Sequence, residues 1–273
     1  MIVNDTCRVV FLHIPKCAGT TVRNVLALYD QHHGRFYDKS VANHPLLGRL
    51  DYAHIPLAVL RDYFPEDFDR VIKYRSFALI RDPHFRFPSS LHERFVQRSN
   101  TPLDLHDRVD VAREVDKVMA SLARHPQSEP ISDPDLIHFS RQCDYIFLSG
   151  KQIVDSPHTV AEIRSMLNEI SDLIGKPIRL RESRNRRDRI SSTKVENLTR
   201  IVTRPIETVL PRRFWKPMYK PIKTAFYATG LLRPGGNPLA DYPNAAEIDA
   251  FIKEFYAADI AFFRQLEAKR AAL

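Results

Sequence analysis

Residues 8–29 of the chain read RVVFLHIPKCAGTTVRNVLALY, and the loop inside this stretch combines a lysine, a glycine and two threonines. An apolar run ends, the chain turns at Pro15, and the apolar spacing predicts a helix from Thr20 onward. The free N–H groups and the positive dipole end of that helix, together with the Lys16 ammonium, would attract an anion. The loop is not a Walker A motif, because Lys16 precedes Gly19 instead of following it.

A second set of anion-binding side chains follows another apolar run, SFALI, at residues 76–80. Arg81 comes directly after this run and Ser89 eight residues later, so a guanidinium and a hydroxyl are available to hold a phosphate. The first motif alone is equally compatible with a helix cap at Thr20 and a solvated Lys16. The second motif alone favours a surface ion pair of Arg81 and Asp82, with Ser89 as a cap. Two such motifs at the strand ends of one sheet are much less expected by chance.

Alternating strands and helices are predicted to position these motifs. The predicted strands are 8–14, 76–80, 145–148, 152–154 and 177–180. The predicted helices are 20–29, 83–98, 110–124, one that follows Ser156–Pro157 and ends at Gly175, and a last one from Asn244. This order predicts an α/β fold in which helices flank a three-layer parallel sheet, with ligands at the carboxyl ends of the strands.

Three local signals refine these helices. Pro88 lies inside the second predicted helix and is expected to kink it or to restart it. Ser156 and Pro157 have the residue types of an N-cap and a first helical position. Asn244 and Glu247 have the spacing of a capping box.

Composition excludes several classes of protein. The chain has 273 residues, 44% of them hydrophobic and 27% charged, which is ordinary for a globular domain. No apolar run approaches the roughly 18 residues of a membrane span, and the first residues do not read as a signal peptide. Three cysteines without a C-x-x-C pair argue against a disulfide framework or a zinc site. The expected compartment is the cytoplasm, with a peripheral membrane association left open.

The positive charge is concentrated in one segment. Residues 179–223 carry 14 Lys and Arg against four Asp and Glu, a local net charge of +10 in a chain of net charge +8. Residues 190–242 form a Pro-rich, aromatic and basic insertion that fits no strand–helix unit. The part at 179–227 is a candidate surface for a polyanion, a sugar or an anionic membrane, and packing alone is an equal alternative. A nucleic-acid partner is not expected.

The two anion motifs resemble those of the family 2 sulfotransferases, a family that includes heparan sulfate 2-O-sulfotransferase, related carbohydrate sulfotransferases and many bacterial enzymes. The first, FLHIPKCAGTT, is similar to the loop that holds a 5′-phosphosulfate, and the second, FALIRDPHFRFPSS, to the motif that holds a 3′-phosphate. Pro88 departs from the usual aliphatic residue of the second motif. The sequence EFYAADIAFF in the last helix is similar to the closing pattern of the family.

The resemblance implies a P-loop NTPase-like fold and a donor, 3′-phosphoadenylyl sulfate (PAPS), used without a metal. The residues implied to bind the 5′ side of this donor are Lys16, Cys17, Ala18, Gly19, Thr20 and Thr21. Those implied at the 3′-phosphate are Arg81 and Ser89, and Arg181 and Ser183 follow the last predicted strand as further contacts, with Arg184 behind them. The acceptor is expected to be a hydroxyl, most simply of a carbohydrate.

The resemblance also implies the catalytic groups. His54, in DYAHIPL, occupies the place of the histidine proposed as base in heparan sulfate 2-O-sulfotransferase. Histidine titrates near neutrality and suits this role. Lys16 would offset charge on the departing nucleotide. His44 and the His32–His33 pair are weaker candidates for the base, and His13 is expected to be structural.

We expect a single sulfotransferase domain over residues 1–273, interrupted by the insertion at about 190–242. Two alternatives remain open from the residues. A nucleotide kinase would need a lysine after the second glycine and acidic ligands for Mg²⁺, neither of which is apparent. A non-catalytic protein that binds a polyanion or a membrane would use residues 179–227 and would have no need of Arg81 and Ser89.

Overall fold

The computed structural model describes residues 1–37, 41–99, 103, 106–180, 188–190, 232–234, 242 and 244–272. The chain divides into two compact units, Met1–Ser183 with Tyr242–Leu273, and Arg184–Asp241. No helix in the described ranges combines the length and the apolar character needed to cross a bilayer.

The first unit contains strands and helices in alternation. Its strands are β1 (Ile2–Asn4), β2 (Val9–Leu12), β3 (Val41–His44), β4 (Gly48–Asp51), β5 (Arg75–Ile80), β6 (Phe147–Leu148), β7 (Lys151–Gln152) and β8 (Ser156–Thr159). Its helices are α1 (Gly19–Leu26), α2 (Leu57–Tyr63), α3 (Pro65–Lys73), α4 (Pro83–Ser99), α5 (Arg108–Arg124), α6 (Ile163–Ile174), α7 (Ala245–Phe255) and α8 (Ala257–Ala271). In the second unit, β9 (Asp188–Ile190) and β10 (Leu232–Pro234) pair antiparallel.

The central sheet has the strand order β1-β2-β5-β8. Strands β2, β5 and β8 run parallel, with Phe11 opposite Phe77. Strand β1 pairs antiparallel with β2, so the sheet is mixed and not purely parallel as predicted. The short β1–β2 connection explains this, because a parallel pair needs a crossover of a dozen residues or more. All of β2 and all of β5 except Arg75 are buried, as expected for strands covered on both faces.

The helices that follow the two motifs are present as predicted. Helix α1 begins at Gly19 and α4 at Pro83. Helix α4 does not restart at Pro88, which lies buried inside it and removes one backbone hydrogen bond near its beginning. The strands predicted at 145–148 and 152–154 are shorter, and they pair with each other as the hairpin β6–β7.

Two predictions after residue 155 are wrong. Ser156 and Pro157 do not begin a helix but lie in β8, where a proline is tolerated because β8 is the edge of the sheet in the described chain. The capping box is formed instead by Thr159 and Glu162, just before α6. Residues 177–180 form no strand; Ile178 is buried against the core without ladder pairing.

The C-terminal prediction is also only partly right. The expected long helix is two helices, α7 and α8, separated at Tyr256. The capping box predicted at Asn244 does not form: the Asn244 side chain makes no cap hydrogen bond, and its amide N–H donates to Asp116 on α5 at 2.8 Å. The apolar stripe does dock on the core, with Ile252 and Phe262 buried.

Candidate active site

The loop between β2 and α1 has an unusual backbone. Lys16 and Ala18 adopt left-handed conformations, with φ of 62° and 60°. Each costs about 1–2 kcal/mol in a residue with a Cβ, so the surrounding structure must impose them. Such strain is common at ligand-binding sites. The α1 helix that follows presents its N-terminal N–H groups to whatever lies over the loop.

Gly19 is required by a close approach. A Cβ placed on Gly19 would lie 1.7 Å from the His13 ring. The same ring packs against His54, with 4.5 Å between the ring centroids. Burial, with His54 nearby, holds the pKa of His13 well below its usual value, so His13 is neutral. Through His13, the loop and the candidate base are therefore in contact.

We expect Gly19→Ala to destabilise the fold by about 1–3 kcal/mol, the usual range for overpacking. Thermal unfolding of the wild type, Gly19→Ala, His13→Ala and the double variant measures this effect. If the clash with the His13 ring is the cause, the substitution at Gly19 costs much less in the His13→Ala background. An equal cost in both backgrounds would contradict the stated contact.

The side chains of the first loop point in different directions. The Lys16 ammonium lies 3.0 Å from Glu93 Oε2 on α4. The Cys17 thiol is buried and donates to Gln142 Oε1 at 3.1 Å, and burial raises its pKa to about 12. Only the backbone of Cys17 can therefore face a ligand. Thr20 is exposed and Thr21 half-buried at the start of α1.

The second motif ends the neighbouring strand. Because β2 and β5 are parallel neighbours, Arg81 and the first loop both lie at the carboxyl ends of these strands. Ser89 is buried in α4. The Arg81 backbone is bonded on both sides to Gln142, whose amide accepts from Arg81 N at 2.8 Å and donates to Arg81 O at 2.8 Å. Gln142 thus contacts both loops and brings the two predicted anion sites together.

Gln142 is itself fixed by the C-terminal helices. Asp259 accepts hydrogen bonds from the backbone N–H groups of Gln142 at 2.8 Å and Cys143 at 2.9 Å. The Tyr256 hydroxyl donates to Phe139 O at 2.6 Å. Tyr256 and Asp259 are the tyrosine and the aspartate of the closing sequence pattern. Their structural role is to hold the segment that joins the two loops.

His54 is paired with a carboxylate that the sequence analysis did not identify. His54 Nδ1 donates to Asp51 Oδ2 at 2.8 Å, and Asp51 Oδ1 accepts from Ala53 N at 2.9 Å. Burial alone would raise the pKa of Asp51, but the His54 hydrogen bond and charge outweigh it and lower the pKa. Asp51 is therefore ionised, and it leaves His54 Nε2 as the ring nitrogen available to a substrate. In the sequence, the indication of this pair was the spacing of three residues between Asp51 and His54.

The other histidines considered as bases are engaged elsewhere. His44 accepts from the N–H groups of Leu46 and Leu47 at 3.3 Å. His32 contacts Asp5 at 3.1 Å through Nε2 and Asp67 at 3.8 Å through Nδ1. No contact in the described chain joins either ring to the first loop.

His138 is a further histidine at the site, and nothing near it in the sequence indicated this. Its ring centroid lies 5.4 Å from that of His54. Burial, together with the His54 and Lys16 charges, lowers its pKa to about 4. His138 follows α5 by more than ten residues, so only the folded chain brings it to His54.

One group of metal-ligating side chains comes together in the described part of the chain. Donor atoms of Asp51, His54 and His138 lie within 4.8 Å of one another. The 2.8 Å contact between His54 Nδ1 and Asp51 is a hydrogen-bond distance, so a metal would have to displace the proton between them. We therefore describe Asp51 and His54 as a hydrogen-bonded pair with the His138 ring beside it.

Arg181, Ser183 and Arg184 lie outside the described residues. The same holds for nearly all of the basic segment. Their roles stay predictions.

Comparison with known proteins agrees with the motifs. A model of the sulfotransferase family matches residues 1–173, which is more than half of the chain and includes both loops, Asp51, His54 and His138. No curated protein and no solved structure matches the chain. The chain belongs to the family 2 sulfotransferases.

Proposed function

We propose that the chain uses PAPS as donor and transfers the sulfuryl group to a hydroxyl of a carbohydrate, on a P-loop-like fold. The observation that carries this proposal is the bridge made by Gln142, which contacts Cys17 in the first loop and Arg81 after β5. It joins the two loops that are predicted to bind anions, at the carboxyl ends of β2 and β5. A nucleotide with anionic groups at both its 5′ and 3′ positions fits such a pair.

The donor set fits PAPS group by group. Lys16, Thr20, Thr21 and the α1 N-terminus would hold the 5′-phosphosulfate, with Ala18 and Gly19 allowing close approach of the backbone. Arg81 and Ser89 would hold the 3′-phosphate and supply orientation. When bound, PAPS supplies an activated sulfuryl group. Lys16 would exchange Glu93 for the departing bisphosphate and offset its charge.

His54 would act on the acceptor. Its Nδ1 is bonded to Asp51, so Nε2 can take the proton of the attacking hydroxyl. The Asp51 carboxylate holds this tautomer and stabilises the imidazolium that forms. The acceptor oxygen forms a bond to sulfur while the bond from sulfur to the bisphosphate oxygen breaks, and the proton stays on His54.

The donor is tested by isothermal titration with adenosine 3′,5′-bisphosphate, AMP and ADP. A charge-assisted contact to the 3′-phosphate is worth about 1.5–3 kcal/mol, so we expect the bisphosphate to bind about 10–100-fold tighter than AMP. Arg81→Ala should remove most of this difference, because AMP never uses the Arg81 side chain. Equal affinities for the three nucleotides would overturn the choice of PAPS, and preference for ADP would favour a kinase.

Three further parts of the proposal concern the acceptor, the compartment and the basic segment. A carbohydrate hydroxyl is supported by the family resemblance, and a screen of polysaccharides and lipid-linked sugars with radiolabelled PAPS tests it. The cytoplasm remains the proposed compartment, in keeping with three free cysteines. Binding of an anionic membrane or a polyanion by residues 179–227 is proposed from charge alone. Sedimentation with anionic vesicles, with and without residues 190–242, tests it.

A further inference from the structure

His138 lies beside the candidate base. Its ring meets His54 edge-on, with an angle of 80° between the ring planes. Donor atoms of His138, His54 and Asp51 lie within 4.8 Å of one another. The charges of Lys16 and Glu93 also act on the ring. A hydrogen bond from His138 can therefore reach a group that approaches the base.

Two buried side chains of α4 hold the backbone of His138 in place. Its carbonyl oxygen accepts from Arg86 Nη1 at 3.1 Å and from Ser90 Oγ at 2.6 Å. Arg86 is almost fully buried and also donates to Ser140 O. Arg86 and Ser90 belong to the second motif, but the proposed donor contacts leave both without a role. Fixing the His138 segment gives them one.

The protonation state of His138 suits a donor and not a base. The charged and titratable groups that act on it are His54, Lys16, Asp51 and Glu93, and burial is the largest influence. With a pKa of about 4 the imidazole is neutral at pH 7 and carries one N–H. A fixed neutral N–H stabilises charge that develops on an oxygen without adding a charge of its own. Two neighbouring imidazoles with different environments can thus divide the roles of base and hydrogen-bond donor.

We propose that His138 is a second catalytic histidine, whose ring N–H donates a hydrogen bond to a sulfuryl oxygen during transfer. The inference rests on the proposed function. No proton leaves His138: the oxygen–sulfur bond forms, the sulfur–bisphosphate bond breaks, and the hydroxyl proton goes to His54. His138 would contact the reacting group itself, unlike Arg86 and Ser90, which position it.

The test uses water as the acceptor, because hydrolysis of PAPS needs no knowledge of the natural acceptor. The readouts are the rate of labelled sulfate release, the Kd for adenosine 3′,5′-bisphosphate and the Tm. Removing one preorganised donor typically costs about 10²–10³-fold in rate, so we expect such a loss in His138→Ala with unchanged Kd and Tm. His138→Asn and His138→Gln place an amide N–H near Nδ1 and Nε2 respectively. One of them should recover part of the rate and so identify the donating nitrogen.

Each outcome decides the matter. A wild-type rate in His138→Ala overturns the inference, and so does a loss of Tm and nucleotide affinity that neither amide restores, since that indicates packing alone. Where only an acceptor of the screen takes the sulfuryl group, the same variants are compared with that acceptor. A wild type that binds the bisphosphate but transfers sulfate neither to water nor to any acceptor of the screen counts against the proposed function itself. Loss of rate confined to the variants cannot be confused with that result.

Discussion

His54→Ala is expected to lower the rate of sulfuryl transfer by about 10²–10⁴-fold, the range of general-base catalysis. The Kd for adenosine 3′,5′-bisphosphate should stay at the wild-type value, because the ring at position 54 contacts His13, His138 and Asp51, none of which is proposed to bind the bisphosphate. Single-turnover transfer from radiolabelled PAPS to the best acceptor of the screen, with titration calorimetry in parallel, separates the two quantities. A variant with the wild-type transfer rate would remove His54 from the mechanism.

Asp51→Asn is the matched control for His54. Asparagine keeps an oxygen that can accept from Nδ1 but removes the charge that stabilises the imidazolium. The rate should fall less than in His54→Ala. An unchanged rate would mean that Asp51 only supports the β3–β4 hairpin.

Lys16→Ala should lower transfer by about 10²–10³-fold, because the lysine offsets charge that appears on the leaving bisphosphate. Its ammonium lies on the first loop, and its ion pair with Glu93 measures 3.0 Å. Burial works against the charge of Glu93, yet the Lys16 charge keeps the pKa of Glu93 below its usual value. Glu93 is thus ionised near pH 7.

Glu93→Gln is the control for Lys16. It removes the ion pair but leaves the lysine, so the ammonium no longer has to exchange a carboxylate for the donor. We expect tighter binding of adenosine 3′,5′-bisphosphate in Glu93→Gln and weaker binding in Lys16→Ala, both measured by calorimetry at one salt concentration. Weaker binding in both variants would show that the pair stabilises the loop and that Lys16 does not reach the nucleotide.

The sequence was informative where function depends on local order. Strand β2, its loop and α1 are contiguous, and the same is true of β5, Arg81 and α4, so apolar runs and turn residues were enough to predict them. His54 followed from the family resemblance, and Asp51 lies only three residues away. The spacing was visible, but nothing local shows that a hairpin aims the carboxylate at the ring.

The remaining contacts join distant residues, and no periodicity predicts them. Gln142 meets Cys17 across 125 positions, and Arg86 meets His138 across 52. The helix start predicted at Ser156 and Pro157 was wrong for another reason. A residue pair that favours a helix start is equally acceptable in the edge strand of a sheet, and here the pairing of β8 with β5 determines the structure. The Asn244 side chain likewise makes a tertiary contact, to Asp116 on α5, and no cap hydrogen bond.

The bridge through Gln142 also sets an order of events during synthesis. Chains fold from the N-terminus as they leave the ribosome, at about 5–20 residues per second. The first loop, with Lys16, is made early, yet the amide that joins it to Arg81 is held by Asp259, 117 positions after Gln142. Contacts of such separation form slowly and late. A nascent chain therefore carries both loops for most of its translation without the contact that joins them, and this contact is secured only when α8 has emerged.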